Sequence, residues 1–161
     1  MARKKSIHYV NNSNFSTEVV RYVEQVDHAR KTDNEIPKVP DYIAQCFLRI
    51  AEGLSHKANF IRYTYREEMV MDAVENCLKA IGNYNLEAAT RTGKPNAFAY
   101  FTQITSYAFL RRIAKEKKQQ DIKLKYLTRS WIERFEDGDM TDDYTMNELA
   151  SIVDTLRDRI D

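Results

Sequence analysis

Tyr100, Gln103, Tyr107, Arg111, Lys115 and Lys118 follow one another at intervals of three and four residues. That spacing places them on one face of a helix, with an aromatic and amide portion leading into cations. Tyrosine rings stack on unpaired bases, and Lys and Arg neutralise phosphates, so the combination suits opened or single-stranded nucleic acid. Arg112, Lys117, Lys123, Lys125 and Arg129 extend the positive charge. The alternative is structural, since tyrosines also pack at the rims of small helical domains.

A second candidate is acidic. Glu68, Met71, Asp72 and Glu75 stand at i, i+3, i+4 and i+7, a ridge of carboxylates with a methionine set in it. Such a ridge reads either as a solvated helix face or as a docking surface for a basic protein. Catalysis is poorly served. His8, His28 and His56 lie in unrelated segments, no glycine-rich loop is present to cradle phosphates, and Glu67, Glu68 and Asp72 lack the histidine partners of a carboxylate metal site. Cys46 and Cys77 fall inside apolar stripes and read as small buried hydrophobes. The expectation is a protein that is not an enzyme and needs no cofactor or metal.

The elements that must carry these residues are helices. Only 4 Gly and 3 Pro occur in 161 residues, 30% of which are charged, and no alternating strand pattern or internal repeat is present. The sequence predicts an all-α fold. A first helix is expected from Ser16, with Phe15 and Val20 as a hydrophobic staple and Val19, Val23 and Val26 as its stripe. The spacer Lys31 to Pro40 follows. Ile43, Cys46, Phe47, Ile50, Ala51 and Leu54 then share one face of a second helix. Thr64 and Glu67, at capping-box spacing, are expected to open a third, which buries Val70, Ala73, Val74, Cys77, Leu78 and Ile81. Asn96 caps a fourth, Ala97 to about Lys118, with Ala97, Phe101, Ile104, Thr105 and Ala108 as its core face. A further helical stretch is expected from about Ile122 to Phe135.

The net charge of +1 conceals a segregation. Residues 111–135 hold 9 Lys/Arg against 3 Asp/Glu, whereas residues 136–161 hold 2 against 9. After this acidic loop, Thr145 and Glu148 make a second capping box, and Leu149, Ile152, Val153, Leu156 and Ile160 form one apolar side of a last helix. That helix either docks within the chain, with the Val19, Val23 and Val26 stripe as the obvious receiver, or binds a partner as a detachable peptide. No apolar run approaches the length of a membrane span, and the start, Met1-Ala2-Arg3-Lys4-Lys5, leads into no apolar signal core. A cytosolic protein without membrane contact is expected.

The order of these features resembles region two of bacterial sigma factors. The residues that carry the resemblance are Cys77-Leu78-Lys79-Ala80-Ile81-Gly82-Asn83-Tyr84 at the end of an acidic helix, then Phe98-Ala99-Tyr100-Phe101-Thr102 leading to Arg111-Arg112-Ile113. The chain is most similar to the late-transcription sigma factors of T-even-type bacteriophages, through Ile50-Ala51-Glu52-Gly53-Leu54-Ser55, Glu68-Met69, and Ala99-Tyr100 with Thr102-Gln103. The resemblance covers roughly Val39 to Lys125. It departs from the family pattern where Met71 replaces a Gln and Ala73 and Asn76 replace glycines. Gln103 and Ile104 stand where primary sigma factors carry a tryptophan pair, and the loop before Phe98 is longer.

The resemblance implies a compact region-two-like domain over residues 39–135, an N-terminal helix and spacer over 1–38, and an acidic loop with an amphipathic tail over 136–161. It implies that Glu68, Met71, Asp72 and Glu75 bind the clamp helices of the largest subunit of bacterial core RNA polymerase. Tyr100, Gln103, Tyr107, Arg111, Arg112, Lys115 and Lys118 would contact promoter DNA and open an A·T-rich minus-ten element. The C-terminal residues lack the two helices and basic face of a minus-thirty-five reader. In the late phage factors such a tail binds the sliding clamp, which assigns that role to Leu149, Ile152, Val153 and Leu156. The expected location is the cytoplasm of an infected bacterium. Two other readings stand beside this one: a polymerase-binding adaptor that never touches DNA, and a small metal-dependent nucleic-acid-processing enzyme using Glu67, Glu68 and Asp72.

Overall fold

The computed structural model describes residues 10–86 and 96–136, together with Asn147, Ala150, Ser151, Asp154 and Thr155 of the C-terminal segment. The fold is all-α. The described elements are α1 (Asn12–Lys31), α2 (Asp41–Ser55), α3 (Arg66–Ala80), a short 3-10 turn (Ile81–Asn83) and α4 (Ala97–Glu136). The chain divides into two compact units, Met1–Leu110 and Arg111–Asp161.

Helix α1 begins four residues before the expected Ser16. The Asn11 side chain accepts a hydrogen bond from the Asn14 amide at 3.2 Å, so Asn11 caps the free N–H groups itself. This start brings Phe15 into the helix, where it is fully buried. At the other end Asp33 adopts a left-handed φ of 54°, and the Asn34 amide reaches back to the Ala29 carbonyl at 2.9 Å. That reversal closes the helix in the manner of a Schellman motif. The spacer beyond it is held down by Tyr22, whose hydroxyl donates to the Pro37 carbonyl at 2.9 Å.

Helix α2 buries Ile43, Cys46, Phe47, Ile50 and Ala51 on one face, as its periodicity predicts, whereas Leu54, expected with them, is half-buried and Ser55 is buried at the helix end. Helix α3 departs from expectation at both ends. Residues 57–63 make turns of their own, with the Phe60 and Ile61 amides donating to the Lys57 carbonyl at 2.9 and 3.0 Å. Phe60 is thereby directed onto Phe109 of α4, edge to face at 5.1 Å. The helix starts only at Arg66, after Tyr65, so Thr64 is no cap. Its buried face is Met69, Val70, Ala73 and Cys77, continuing to Ile81. Val74 is half-buried and Leu78 is exposed, where the sequence pattern assigned both to the core.

The core of the first unit is organised on three phenylalanines from three helices. Phe47 and Phe101 lie 4.6 Å apart between ring centroids, and Phe15 meets them edge-on at 6.0 and 5.9 Å. Each fully buried ring of this kind stabilises the fold by about 1.5–3 kcal/mol. Val19, Val23 and Val26 of α1 join the same cluster as Ile43, Ile50, Cys77 and Ile81. The N-terminal helix is therefore part of the main core rather than a separate appendage, and its valine stripe is already occupied. Arg30 adds a polar tie, donating to the Gly82 carbonyl at 3.1 Å.

Helix α4 runs unbroken for 40 residues, where a break near Lys118 to Ile122 was expected. The intervening Gln119-Gln120-Asp121 contains neither Gly nor Pro, and Lys and Gln rank among the good helix formers, so nothing in it stops the helix. The boundary between the two units falls within α4, after Leu110. In the second unit, Ile113, Glu116, Gln120, Leu124, Leu127 and Trp131 are half-buried along one side of the helix. Their intervals of three and four make a continuous stripe.

Candidate functional site

On α3 the acidic ridge lies on the solvent side, opposite the buried Met69, Ala73 and Cys77. Glu68 and Glu75 are exposed, Met71 is 61% exposed, and Asp72 is half-buried. Glu75 pairs with Lys79 one turn on, Oε1 to Nζ at 2.6 Å, and both side chains are well exposed. An i,i+4 pair of this kind contributes only about 0.3–0.5 kcal/mol. Asn76 donates to the Asp72 main-chain carbonyl at 2.6 Å. Leu78, which the sequence pattern placed in the core, instead joins this outer face one turn beyond Glu75. The ridge thus alternates charge and apolar relief over Glu68, Met71, Glu75 and Leu78, at intervals of three, four and three. A basic helical partner can meet such a stripe with both ion pairs and methyl contacts.

The residues expected at a nucleic-acid surface separate into two groups. In the first unit, Gln103 and Tyr107 are exposed, Tyr107 by 54%, and the Gln103 amide donates to the Tyr107 hydroxyl at 3.1 Å. That bond joins the two side chains across one turn on the exposed side of the helix. Tyr100 differs. It is half-buried, packs against the core and meets Tyr84 edge-on at 5.0 Å, with Phe101 at the same distance. Its ring is a structural part of the core rim rather than a free stacking platform, because Tyr84 closes in on it from the end of the 3-10 turn. Tyr84 itself is buried, and desolvation pushes its phenol above the usual tyrosine range, with Tyr100 nearby adding to the rise.

In the second unit, Arg111, Lys115 and Lys118 are exposed on α4. Arg112 is half-buried and pairs with Glu116, Nη1 to Oε1 at 3.3 Å, which draws its charge back onto the helix. Lys117, Lys123 and Lys125 are exposed as well, and Arg129 pairs with Glu133 at 3.1 Å. The basic character predicted for this segment is therefore present on its solvent surface.

Both cysteines are free and buried. Cys77 lies with its Sγ 3.7 Å from the Thr105 hydroxyl and 3.9 Å from the Phe101 carbonyl, and desolvation pushes its pKa up to about 11 despite the Thr105 contact, which lowers it. Cys46 is raised above its ordinary value by burial too. No set of three His, Cys, Asp or Glu side chains converges at metal-ligand distance among the described residues. Among them, too, no helix is long and apolar enough to cross a membrane. The tail residues Leu149, Ile152, Val153 and Leu156 lie outside the described residues.

Sequence reasoning missed three contributors to this architecture. Met69, one turn before Ala73 and in phase with the buried face, is not among the residues the sequence pattern assigns to the core. Phe60 and Phe109 had no local pattern to pair them, being 49 positions apart. What the described geometry defines is an all-α protein with an acidic-apolar ridge on α3, an exposed Gln103–Tyr107 pair on α4 in the first unit, and exposed Lys and Arg side chains in the second. No family model matches the chain, and no curated protein is significantly similar to it.

Proposed function

We propose that this chain is a transcription initiation factor of the sigma region-two type, similar to the late sigma factors of T-even-type bacteriophages. In this reading it binds bacterial core RNA polymerase through the α3 ridge and helps open an A·T-rich promoter element with α4. The observation that carries the reading is the exposed Gln103–Tyr107 pair, on a helix whose later residues Arg111, Lys115 and Lys118 are also exposed. A tyrosine face held by its own neighbour offers a pre-ordered platform for an unstacked base, and stacking of that kind contributes about 1–3 kcal/mol per base. Unpairing is least costly at A·T-rich, flexible steps, so a small aromatic surface suffices there. Glu68, Met71, Asp72 and Glu75 would hold the polymerase's clamp helices, and the C-terminal segment would engage the phage sliding clamp. The site of action would be the cytoplasm of the infected host.

The half-buried state of Tyr100 favours a second reading, in which the ridge is the whole function and the chain is a polymerase-binding adaptor without DNA contact. Nuclease chemistry on Glu67, Glu68 and Asp72 has less support, because these side chains share no convergent ligand geometry. The deciding experiment adds the purified chain to bacterial core polymerase on supercoiled A·T-rich DNA. Promoter-specific initiation that falls with Tyr107→Ala supports the sigma reading. Core binding with no initiation and no effect of Tyr107→Ala supports the adaptor.

A further inference from the structure

Between Glu52 and Glu67 the sequence holds Lys57, Arg62 and Arg66 and no Asp or Glu. The three cations fall in the segment that joins α2 to α3, and successive turns hold it in place. The Lys57 amide donates to the Leu54 carbonyl at 3.0 Å, the Phe60 and Ile61 amides to the Lys57 carbonyl, and the Tyr63 amide to the Phe60 carbonyl at 3.4 Å. Phe60 pins the middle of the segment on Phe109. Lys57 and Arg62 are exposed and Arg66 is half-buried. None of the three makes an ion pair or a side-chain hydrogen bond to a described residue, whereas Arg21, Arg30 and Lys79 of the same unit face Glu18, Asp27 and Glu75. Cations confined to one short segment without a carboxylate repel one another, and a polyanion laid along them relieves that repulsion.

We propose that residues 57–66 form a second nucleic-acid contact, one that takes the sugar–phosphate backbone of a single strand. Lys57, Arg62 and Arg66 neutralise phosphates, and the tyrosines between the two arginines supply ring surface for a base or sugar. Tyr63 and Tyr65 are half-buried, with ring centroids 5.3 Å apart and planes inclined by 36°. Aromatic rings interleaved with cations are what a single strand uses, whereas an acidic protein surface would call on the cations alone. The patch ends where Glu67 and Glu68 begin, so the polyanion is kept off the acidic ridge. It is also separate from the Gln103–Tyr107 pair. Phe109 faces Phe60, and Tyr107, two residues earlier, stands about 160° around α4 from it, on a different side of the helix. The inference adds to the α4 contact of the proposed function and does not depend on the chain's being an initiation factor.

The test uses the full-length chain and a thymine-only DNA single strand of about 20 nucleotides, longer than one such site needs. Fluorescence polarisation across a salt series gives the slope of log K against log salt. Lys57→Gln with Arg62→Gln and Arg66→Gln lowers that slope by about 2, at roughly 0.7 per phosphate contact, and weakens binding about 100-fold at about 0.1 M salt. Arg21→Gln, a cation already held by Glu18, leaves both unchanged. Tyr107→Ala lowers affinity at an unaltered slope, so failure of the α4 platform is read apart from failure of this segment. A slope unchanged in the folded triple variant overturns the proposal and leaves the cations to an acidic protein. Circular dichroism melting establishes that the variant is folded, and a second measurement on the unsubstituted chain decides the matter if it is not. A strand carrying 5-bromodeoxyuridine is photo-cross-linked and the chain digested with trypsin, which releases residues 63–66 as one peptide. Attachment of the strand to that peptide is the expected result, and cross-links confined to the peptide that contains Tyr107, or none, refute the second contact.

Discussion

Replacing Tyr100 and Tyr107 by alanine, one at a time, separates a ring that holds the fold from a ring that faces outward. Tyr100→Ala removes the edge-on contact with Tyr84 at 5.0 Å, which contributes about 0.5–1.5 kcal/mol beyond area. It also uncovers the buried half of the ring, about another 1 kcal/mol if full burial of a large apolar side chain stabilises by 1.5–3 kcal/mol. The contact with Phe101, its chain neighbour, is partly retained in any helical state and is left out of the sum. The expected destabilisation is about 2 kcal/mol, a lowering of Tm by roughly 4–8 °C for a domain of this size. Tyr107 is 54% exposed and gives up chiefly the hydrogen bond from Gln103, so Tyr107→Ala costs about 0.5 kcal/mol or less. Thermal unfolding followed by circular dichroism measures both. Binding to a short single-stranded oligonucleotide then reads the outward role: Tyr107→Ala weakens it by about 1–3 kcal/mol, roughly 5- to 150-fold. Equal thermal shifts for the two variants would refute the division of labour drawn here.

Three further outcomes are expected. Glu68→Lys with Glu75→Lys abolishes binding to core polymerase in a pull-down, while each change leaves stability within about 0.5 kcal/mol; retained binding would remove the ridge from the interface. The Cys77 thiol, with a folded pKa of about 11, binds its proton more tightly in the folded state, so its contribution to stability is complete below an unfolded value of about 9. Stability is therefore lost as pH rises from about 9 towards 11, by roughly 1.4 kcal/mol per unit, and Cys77→Ser flattens that part of a urea-unfolding profile. Phe47→Ala empties the middle of the aromatic triad and lowers stability by about 3–5 kcal/mol; a loss below 1 kcal/mol would mean that the triad is not what unites α1, α2 and α4.

The sequence revealed the helices wherever one face was apolar over several turns. The α2 stripe from Ile43 to Ala51 was read residue by residue, because period 3.6 is a local signal that the tertiary structure only had to accept. Helix starts were less legible. Thr64 and Glu67 satisfy the capping-box pattern, yet the turns at Lys57 to Tyr63 and the pull of Phe60 onto Phe109 decide where α3 begins. That contact joins positions 49 apart, and no local window contains both. Asn11 and Ser16 were equivalent as caps by residue type; burial of Phe15 distinguished them. For the candidate surfaces, exposure of Tyr107, Met71 and Glu75 followed from helical phase. Tyr100 shares that phase but is claimed by Tyr84, which approaches from beyond the helix and leaves no mark in α4's own pattern.

The aromatic triad also sets an order of events during synthesis. Phe15 and Phe101 touch at 5.9 Å although 86 positions separate them. At about 5–20 residues per second a ribosome needs roughly 4–17 s to travel that distance. Through this interval the nascent α1 carries Phe15, Val19, Val23 and Val26 with only part of their final surroundings, while α2 and α3, close in sequence and in extensive contact, can already pair. The amino-terminal helix is thus made first, yet waits for Phe101 to complete its place in the triad. Chains ending at Asn96 should lose α1 to protease while α2 and α3 persist, and chains that include Phe109 should protect all three.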